Sequence, residues 1–199
     1  MDNQEQIRID VVIPVYHPDA SFPKMIKKLM HQTIRPHHIY LMQTVSGPQE
    51  ALVQPQDERI SVHPVVREQF DHGGTRRQAA ELSDAEILVF MTQDAMPADR
   101  ELIGALVGAI EENPQAGAAY ARQLPKKDCR FLEKYTRSFN YPEQSCLKTE
   151  KDVQTRGIKT YFCSNVCAAY KKEIFEKLGG FVERTIFNED MIYAGNLIQ

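Results

Sequence analysis

Ile87-Leu88-Val89-Phe90-Met91 is an unbroken apolar run, closed at once by Thr92-Gln93-Asp94-Ala95-Met96-Pro97. The run is too short for a helix. With no polar residue at alternate positions it reads as a strand buried on both faces, the pattern of a parallel sheet. Parallel strands need crossover connections, and the rest of the chain offers both parts. Strands are expected at Ile9–Val15, His38–Thr44 and Ile60–Val66. Within Phe22–Gln32, Met25, Ile26, Leu29 and Met30 recur at helical spacing with lysines opposite. A glycine turn, Asp71-His72-Gly73-Gly74, leads into a short helix over Thr75–Leu82. Leu102, Leu106 and Ile110 mark a further helix, Asp99–Glu112, which Pro114 ends. The alternation predicts an α/β fold with a mostly parallel central sheet flanked by helices.

Past residue 120 the pattern loosens. A helix is expected over Arg130–Asn140, a polar loop over Tyr141–Gly157 and a strand over Lys159–Tyr170. Lys172–Leu178 reads as a helix stopped by Gly179-Gly180, and Phe187–Leu197 as the start of one more. At 199 residues the chain is one domain with room for a core. A net charge of −3 with no arginine-rich tract gives no sign of a nucleic-acid partner. No apolar run approaches the roughly 20 residues that span a bilayer, and Met-Asp-Asn-Gln-Glu-Gln lacks the blocks of a signal peptide. A cytoplasmic location is therefore expected. Cys129, Cys146, Cys163 and Cys167 lack a tight partner pair for zinc. Cys163 and Cys167 share one face of the expected strand, and the four read as buried free thiols.

Three constellations carry chemistry. Asp94 follows the apolar strand, where open α/β sheets bind ligands, and a carboxylate there suits Mg²⁺ or Mn²⁺ bridging a diphosphate. The same aspartate would also serve as a turn cap ahead of Pro97. Asn188-Glu189-Asp190 offers adjacent carboxylates that cannot share one helical face, so one can orient while the other takes a proton. Alternatively, both simply favour the first turn of a helix through its dipole. In Asp71-His72-Gly73-Gly74-Thr75-Arg76-Arg77, amides at a helix start and guanidinium groups suit a diphosphate, with one arginine left as a solvated surface residue. The spacing is neither the dinucleotide fingerprint nor a P-loop. Tyr16, after a strand-end proline, is placed either to stack on a base or to pack at the rim of the sheet.

Taken in order, these segments resemble the family 2 glycosyltransferases, whose GT-A fold is Rossmann-like. The matching residues are Val11-Val12-Ile13-Pro14-Val15-Tyr16, Gln32-Thr33, Gly73-Gly74-Thr75-Arg76, Met91 to Pro97, Leu178-Gly179-Gly180-Phe181 and Asn188-Glu189-Asp190. The Thr-Gln-Asp-Ala-Met-Pro loop looks most like the branch that contains rhamnosyltransferases. The resemblance implies an inverting transfer of a sugar, rhamnose on that branch, from a nucleotide-diphosphate donor to a glycan or lipid-linked hydroxyl acceptor. It makes Asp190 the catalytic base and Asp94 the ligand of Mg²⁺ or Mn²⁺. It sets Pro14 and Tyr16 along the nucleobase, with Thr44, Gly74, Arg76, Gln93 and Glu189 about the nucleotide and Gly179 to Phe181 on the acceptor side. Thr92 stands where the family has the first carboxylate of its D-x-D motif, and Gln43-Thr44-Val45-Ser46 where it has an acidic residue after the second strand.

By the same resemblance, residues 1–199 form a single GT-A domain cut short ahead of the acceptor-binding and membrane-associating parts, with peripheral association at the inner membrane face. The alternative is a non-catalytic nucleotide-sugar-binding domain of the same fold. A sugar nucleotidyltransferase would need a glycine-rich basic loop where Tyr16-His17-Pro18-Asp19 stands. A dehydrogenase would need the missing glycine fingerprint.

Overall fold

The computed structural model describes residues 7–126, 128–185 and 187–199. Strand β1 (Ile9–Val15) leads through helix α1 (Phe22–Met30) to β2 (His38–Val45) and β3 (Ile60–Val66). Helix α2 (His72–Leu82), β4 (Ile87–Met91) and α3 (Leu102–Glu111) follow, then β5 (Ala118–Tyr120), α4 (Phe131–Asn140) and the single turn α5 (Val153–Arg156). The last elements are β6 (Cys167–Lys171), α6 (Lys172–Lys177) and α7 (Glu189–Ile198). The six strands lie in the order β3-β2-β1-β4-β6-β5. β1 to β4 are parallel, and β6 runs against both of its neighbours. The expected mostly parallel sheet is therefore the one observed. Strand order reverses beside β1, which has β2 on one side and β4 on the other, so the switch point lies at the carboxyl ends of β1 and β4.

Alternate side chains of the central strands feed two helical layers, which is why β4 is apolar throughout and β1 is apolar except at Asp10. Ile9, Val11, Ile13, Val15 and Val89 pack with Met25 and Leu29 of α1 and Ile103, Leu106 and Ile110 of α3. Val12, Leu88 and Phe90 pack on the other face with Ala79 and Ala80 of α2, Phe175 of α6 and Tyr193 of α7. Phe90 sits among Tyr170, Phe175 and Phe181, with ring centroids 5.6, 5.5 and 5.1 Å away. Such offset and edge-on pairs add about 1 kcal/mol each beyond their burial.

One carboxylate interrupts this apolar face. Asp10 of β1 is fully buried, and its Oδ1 accepts from the His38 amide at 2.9 Å while its Oδ2 accepts from the Ser83 hydroxyl at 2.6 Å. Those contacts pin the starts of β2 and β4 to β1 and fix the register of three parallel strands.

Four local expectations are corrected. Helix α2 begins at His72 rather than Thr75, because the Asp71 carboxylate caps it by accepting from the Gly74 amide at 2.8 Å. The two glycines thus lie inside the first turn, and Gly73 is required there because a Cβ would meet the Val182 carbonyl oxygen at 2.0 Å. The expected strand over Lys159–Tyr170 is reduced to β6, since residues 157–161 wind into a 3₁₀ turn and the Lys148 ammonium holds the Phe162 carbonyl at 2.5 Å. The expected loop Tyr141–Gly157 holds short helical turns begun by a capping box at Thr149 and Asp152. Of the four cysteines, only Cys163 and Cys167 are buried, and Cys163 precedes the strand instead of sharing its face. Burial pushes the Cys163 thiol up to about 11 and the Cys167 thiol to about 12, as suits inert packing groups.

Replacing Asp10 with alanine strands the His38 amide and the Ser83 hydroxyl in the core. Urea denaturation of Asp10→Ala is expected to show a stability loss of about 3 kcal/mol.

Candidate active site

The carboxyl rim of the sheet is concave. Pro14, Val15 and Tyr16 at the end of β1, Thr44 of β2 and Thr92 and Gln93 after β4 line a cavity of about 470 Å³. Arg67 and Phe70, beyond β3, and His72 and Arg76 of α2 complete the wall. Five residues expected at a donor site, Pro14, Tyr16, Thr44, Arg76 and Gln93, are thereby brought together.

Tyr16 is presented deliberately. Its amide donates to Gln93 Oε1 at 2.7 Å, and Gln93 Nε2 donates back to the Tyr16 carbonyl at 2.9 Å. This reciprocal pair ties the end of β1 to the loop after β4, so Gln93 positions the tyrosine backbone. The Tyr16 ring stays part-exposed beneath the Arg67 guanidinium, which lies 5.9 Å from the ring centroid. Gln43 does comparable work on β2, since its side chain donates to the Ala51 carbonyl and accepts from the Val53 amide.

The cavity wall also holds polar atoms that no described residue satisfies. Thr44 Oγ1, Thr92 Oγ1 and Arg76 Nε are buried without a hydrogen-bond partner among the described residues. Unmet buried donors and acceptors are costly, and three on one wall suit a polar ligand that completes them.

Arg76 is nearly fully buried. Its Nη1 donates to the His72 carbonyl at 2.8 Å and lies 3.3 Å from Glu189 Oε1. Glu189, also buried, accepts from Asn165 Nδ2 at 3.2 Å, and Asn165 Oδ1 accepts from the Tyr170 hydroxyl at 2.8 Å. The Asn165 backbone amide donates to Asp190 Oδ2 at 3.0 Å, while Asp190 Oδ1 accepts from the Met191 amide at 2.8 Å. Burial holds the Asp190 carboxyl above its ordinary value of 3.8. Glu189 pushes the same way, and the Asn165 and Met191 amides and Arg76 pull back. The two adjacent acids are held differently: Glu189 in an ion pair, Asp190 by backbone amides.

Gly74, Asp94, Glu189 and Asp190 lie outside the lining of the cavity. The Gly74 amide is committed to Asp71, so it is not a free anion donor. Asp94 is exposed on the turn after β4, and the Ala95 amide closes that turn onto the Thr92 carbonyl without the aspartate side chain. Gly179 to Phe181 border a separate hollow of about 310 Å³ with Arg77, Ile192 and Asn196. Arg77 is the more solvated arginine of its pair and meets Glu183 at 2.9 Å.

Sequence reasoning missed Arg67, Phe70 and Asn165. Asn165 had one available signal: it immediately precedes a strand that runs antiparallel, so it falls on the same rim as the ends of the parallel strands. A carboxylate–imidazole group, Asp10, His37 and Asp84, also brings ligand atoms within 4.8 Å of one another. It sits at the starting end of β1, away from the cavity, and Asp84 already pairs with Arg8 at 2.6 Å.

The family model for Glycosyl transferase family 2 matches residues 10–179. The chain is 37% identical over 194 residues to the O-antigen chain rhamnosyltransferase RfbN of Salmonella typhimurium, covering 97% of this chain and 62% of the relative. It is 32% identical over 192 residues to the O-antigen chain rhamnosyltransferase WbaN of Salmonella anatum, covering 95% and 60%. The chain thus spans about three fifths of the length of these relatives. Among solved structures it resembles the mannosyltransferase PcManGT from Pyrobaculum calidifontis in complex with GDP-Man and Mn²⁺, with a TM-score of 0.60 and 16% identity over 96% of this chain and 51% of the other. S. aureus TarS 1-349 in complex with UDP-GlcNAc gives a TM-score of 0.62 and 14% identity over 96% and 53%. At such identities the likeness shows a shared fold.

Removing one partner of the buried pair strands the other. Arg76→Met is expected to lower stability by about 3–5 kcal/mol in urea denaturation. Arg77→Met, at a solvated pair, should cost about 1 kcal/mol or less in the same assay.

Proposed function

The chain belongs to glycosyl transferase family 2, and from that membership we propose that it carries the donor site and base of an inverting, nucleotide-sugar-dependent transferase. Its fold is the GT-A fold. The observation that carries the reading is the cavity at the switch point, where Pro14, Tyr16, Thr44, Arg76 and Gln93 converge with three unmet polar atoms. In this reading the Tyr16 ring, held in place by Gln93, stacks on the nucleobase, and the Thr44 hydroxyl takes the polar contact that an acidic residue makes elsewhere in the family. Arg76 Nε, at the start of α2, faces the diphosphate.

The residues after β4 fit a divalent cation. Asp94 offers an exposed carboxylate and Thr92 a hydroxyl without a partner, both hard oxygen donors. Mg²⁺ or Mn²⁺ held there would offset the charge that collects on a departing diphosphate. Asp190 takes the proton of the acceptor hydroxyl as it attacks the anomeric carbon from the face opposite the diphosphate. Its raised pKa strengthens it as a base, and the Asn165 amide keeps the carboxylate aimed.

The names of the relatives favour rhamnose as the sugar and an O-antigen-type chain as the acceptor; in this reading that chain is lipid-linked. With such an acceptor, the reading includes peripheral attachment at the cytoplasmic face of a membrane. No helix among the described residues is long and apolar enough to cross one. A non-catalytic binding domain would also explain the cavity. The amide-fixed, desolvated carboxylate of Asp190 favours the enzyme.

Rhamnosyl transfer by the full-length protein from a nucleotide-sugar donor tests the reading. Asp190→Asn is expected to lower kcat by about 10²–10⁴ with donor affinity unchanged. Because the base works deprotonated and its pKa is raised, the wild-type rate should fall with decreasing pH at values above 3.8. Absence of transfer by the wild-type protein with every donor would overturn the enzyme reading.

A further inference from the structure

Helix α4 is turned inside out. A surface helix buries its apolar stripe and wets its polar one. Here Phe131, Leu132, Tyr135 and Phe139 share one stripe and are 83%, 72%, 59% and 58% exposed. The opposite stripe, Glu133, Arg137 and Asn140, is the half-buried one. Arg137 fastens it to the body, donating from Nη1 to Gln123 Oε1 at 2.5 Å, while its Nε donates within the helix to Glu133 Oε1 at 3.0 Å. The Tyr135 and Phe139 rings stack in the open, and the Lys159 ammonium lies over Phe139, next in sequence to the exposed Ile158. Apart from that Lys159 contact, the stripe is left exposed among the described residues.

The surrounding charge says what could. In a chain of net charge −3, the segment 126–137 carries Lys126, Lys127, Arg130, Lys134 and Arg137 against only Asp128 and Glu133. Aromatic and aliphatic groups on one face, with Arg130 at the helix start and Lys134 in its first turn, match an anionic membrane surface. A second copy fits worse, because a self-complementary contact sets each basic rim against its own copy. Ten residues of helix, about 15 Å long and about 10 Å wide, also fall far short of about 800 Å² per partner in a stable dimer.

We propose that α4 docks the protein onto anionic lipid. Phe131, Leu132, Tyr135 and Phe139 enter the headgroup region, and Arg130 and Lys134 face lipid phosphates. The inference rests on the peripheral-membrane reading above and names the surface that carries it.

The test is cosedimentation of the whole chain with phosphatidylcholine vesicles, with and without phosphatidylglycerol, at low and high salt. Binding is expected to require phosphatidylglycerol and to weaken with salt. It should fall about tenfold or more when Phe131→Ser, Leu132→Ser and Phe139→Ser are combined, with circular dichroism unchanged. If that variant misfolds, Arg130→Glu with Lys134→Glu decides, and undiminished binding overturns the inference. Vesicle binding that survives both variants would sink the surface while leaving peripheral association standing. No vesicle binding by the wild-type chain would sink both. A dimer lost on the same substitutions would assign the stripe to a second copy instead. Nucleotide binding, measured on the same samples, separates any of these failures from failure of the donor site.

Discussion

The buried Arg76–Glu189 ion pair is the contact on which the site depends. It joins α2, whose first turn borders the cavity, to α7, whose first turn carries Asp190, the proposed base. A charge pair in the interior is stable only when its remaining hydrogen bonds are met. Here the His72 carbonyl serves the arginine and the Asn165 amide serves the glutamate. Asn165 then fixes Asp190 through its own backbone. One connected set of polar groups therefore sets the relation between the cavity wall and Asp190, the proposed donor site and the proposed base. Arg76 Nε, buried at the cavity end of that set, has no hydrogen-bond partner among the described residues.

This arrangement is possible because β6 is reversed. Four parallel strands place only their ends at the ligand rim, whereas an antiparallel strand places its beginning there. Met91 pairs with Cys167, so the residues that lead into β6 arrive beside the loop that leaves β4. The Thr92 amide accordingly donates to the Val166 carbonyl. Behind this rim the aromatic group of Phe90, Tyr170, Phe175, Phe181 and Tyr193 gives α6 and α7 a rigid floor. The buried Tyr170 hydroxyl reaches up from it to Asn165. Core packing and site geometry meet in that residue.

Much of this was legible in the sequence where one physical rule acted alone. β1 and β4 have the expected boundaries, because strands buried on both faces leave no ambiguity of period, and the partly exposed edge strand β3 has them as well. Pro14, Tyr16, Thr44, Arg76 and Gln93 converge because strand ends at a switch point must converge. Elsewhere rules competed. Gly73-Gly74 reads as a turn by composition, but an aspartate cap and the Val182 backbone make it helix. β5 is three residues long, too short to show a period. The stretch before β6 is apolar enough for a strand, but its polar members Ser164 and Asn165 are drawn into side-chain bonds that the linear pattern does not show. Asn165 was invisible for the same reason, since its role depends on strand direction and on two acids more than twenty residues away. The apolar stripe of α4 was visible as a helix, but which way it faces is decided by Arg137 and Gln123.

The central claim, that the cavity at the ends of β1 and β4 is a nucleoside-diphosphate site, is tested most directly by titration calorimetry. The chain would be titrated with dTDP, UDP and GDP, each with and without Mn²⁺, alongside Tyr16→Ala. One nucleotide binding at one-to-one stoichiometry, more tightly with the cation and more weakly in the variant, is the expected result. No binding of any of the three by the folded chain, or binding indifferent to Tyr16, would contradict the site.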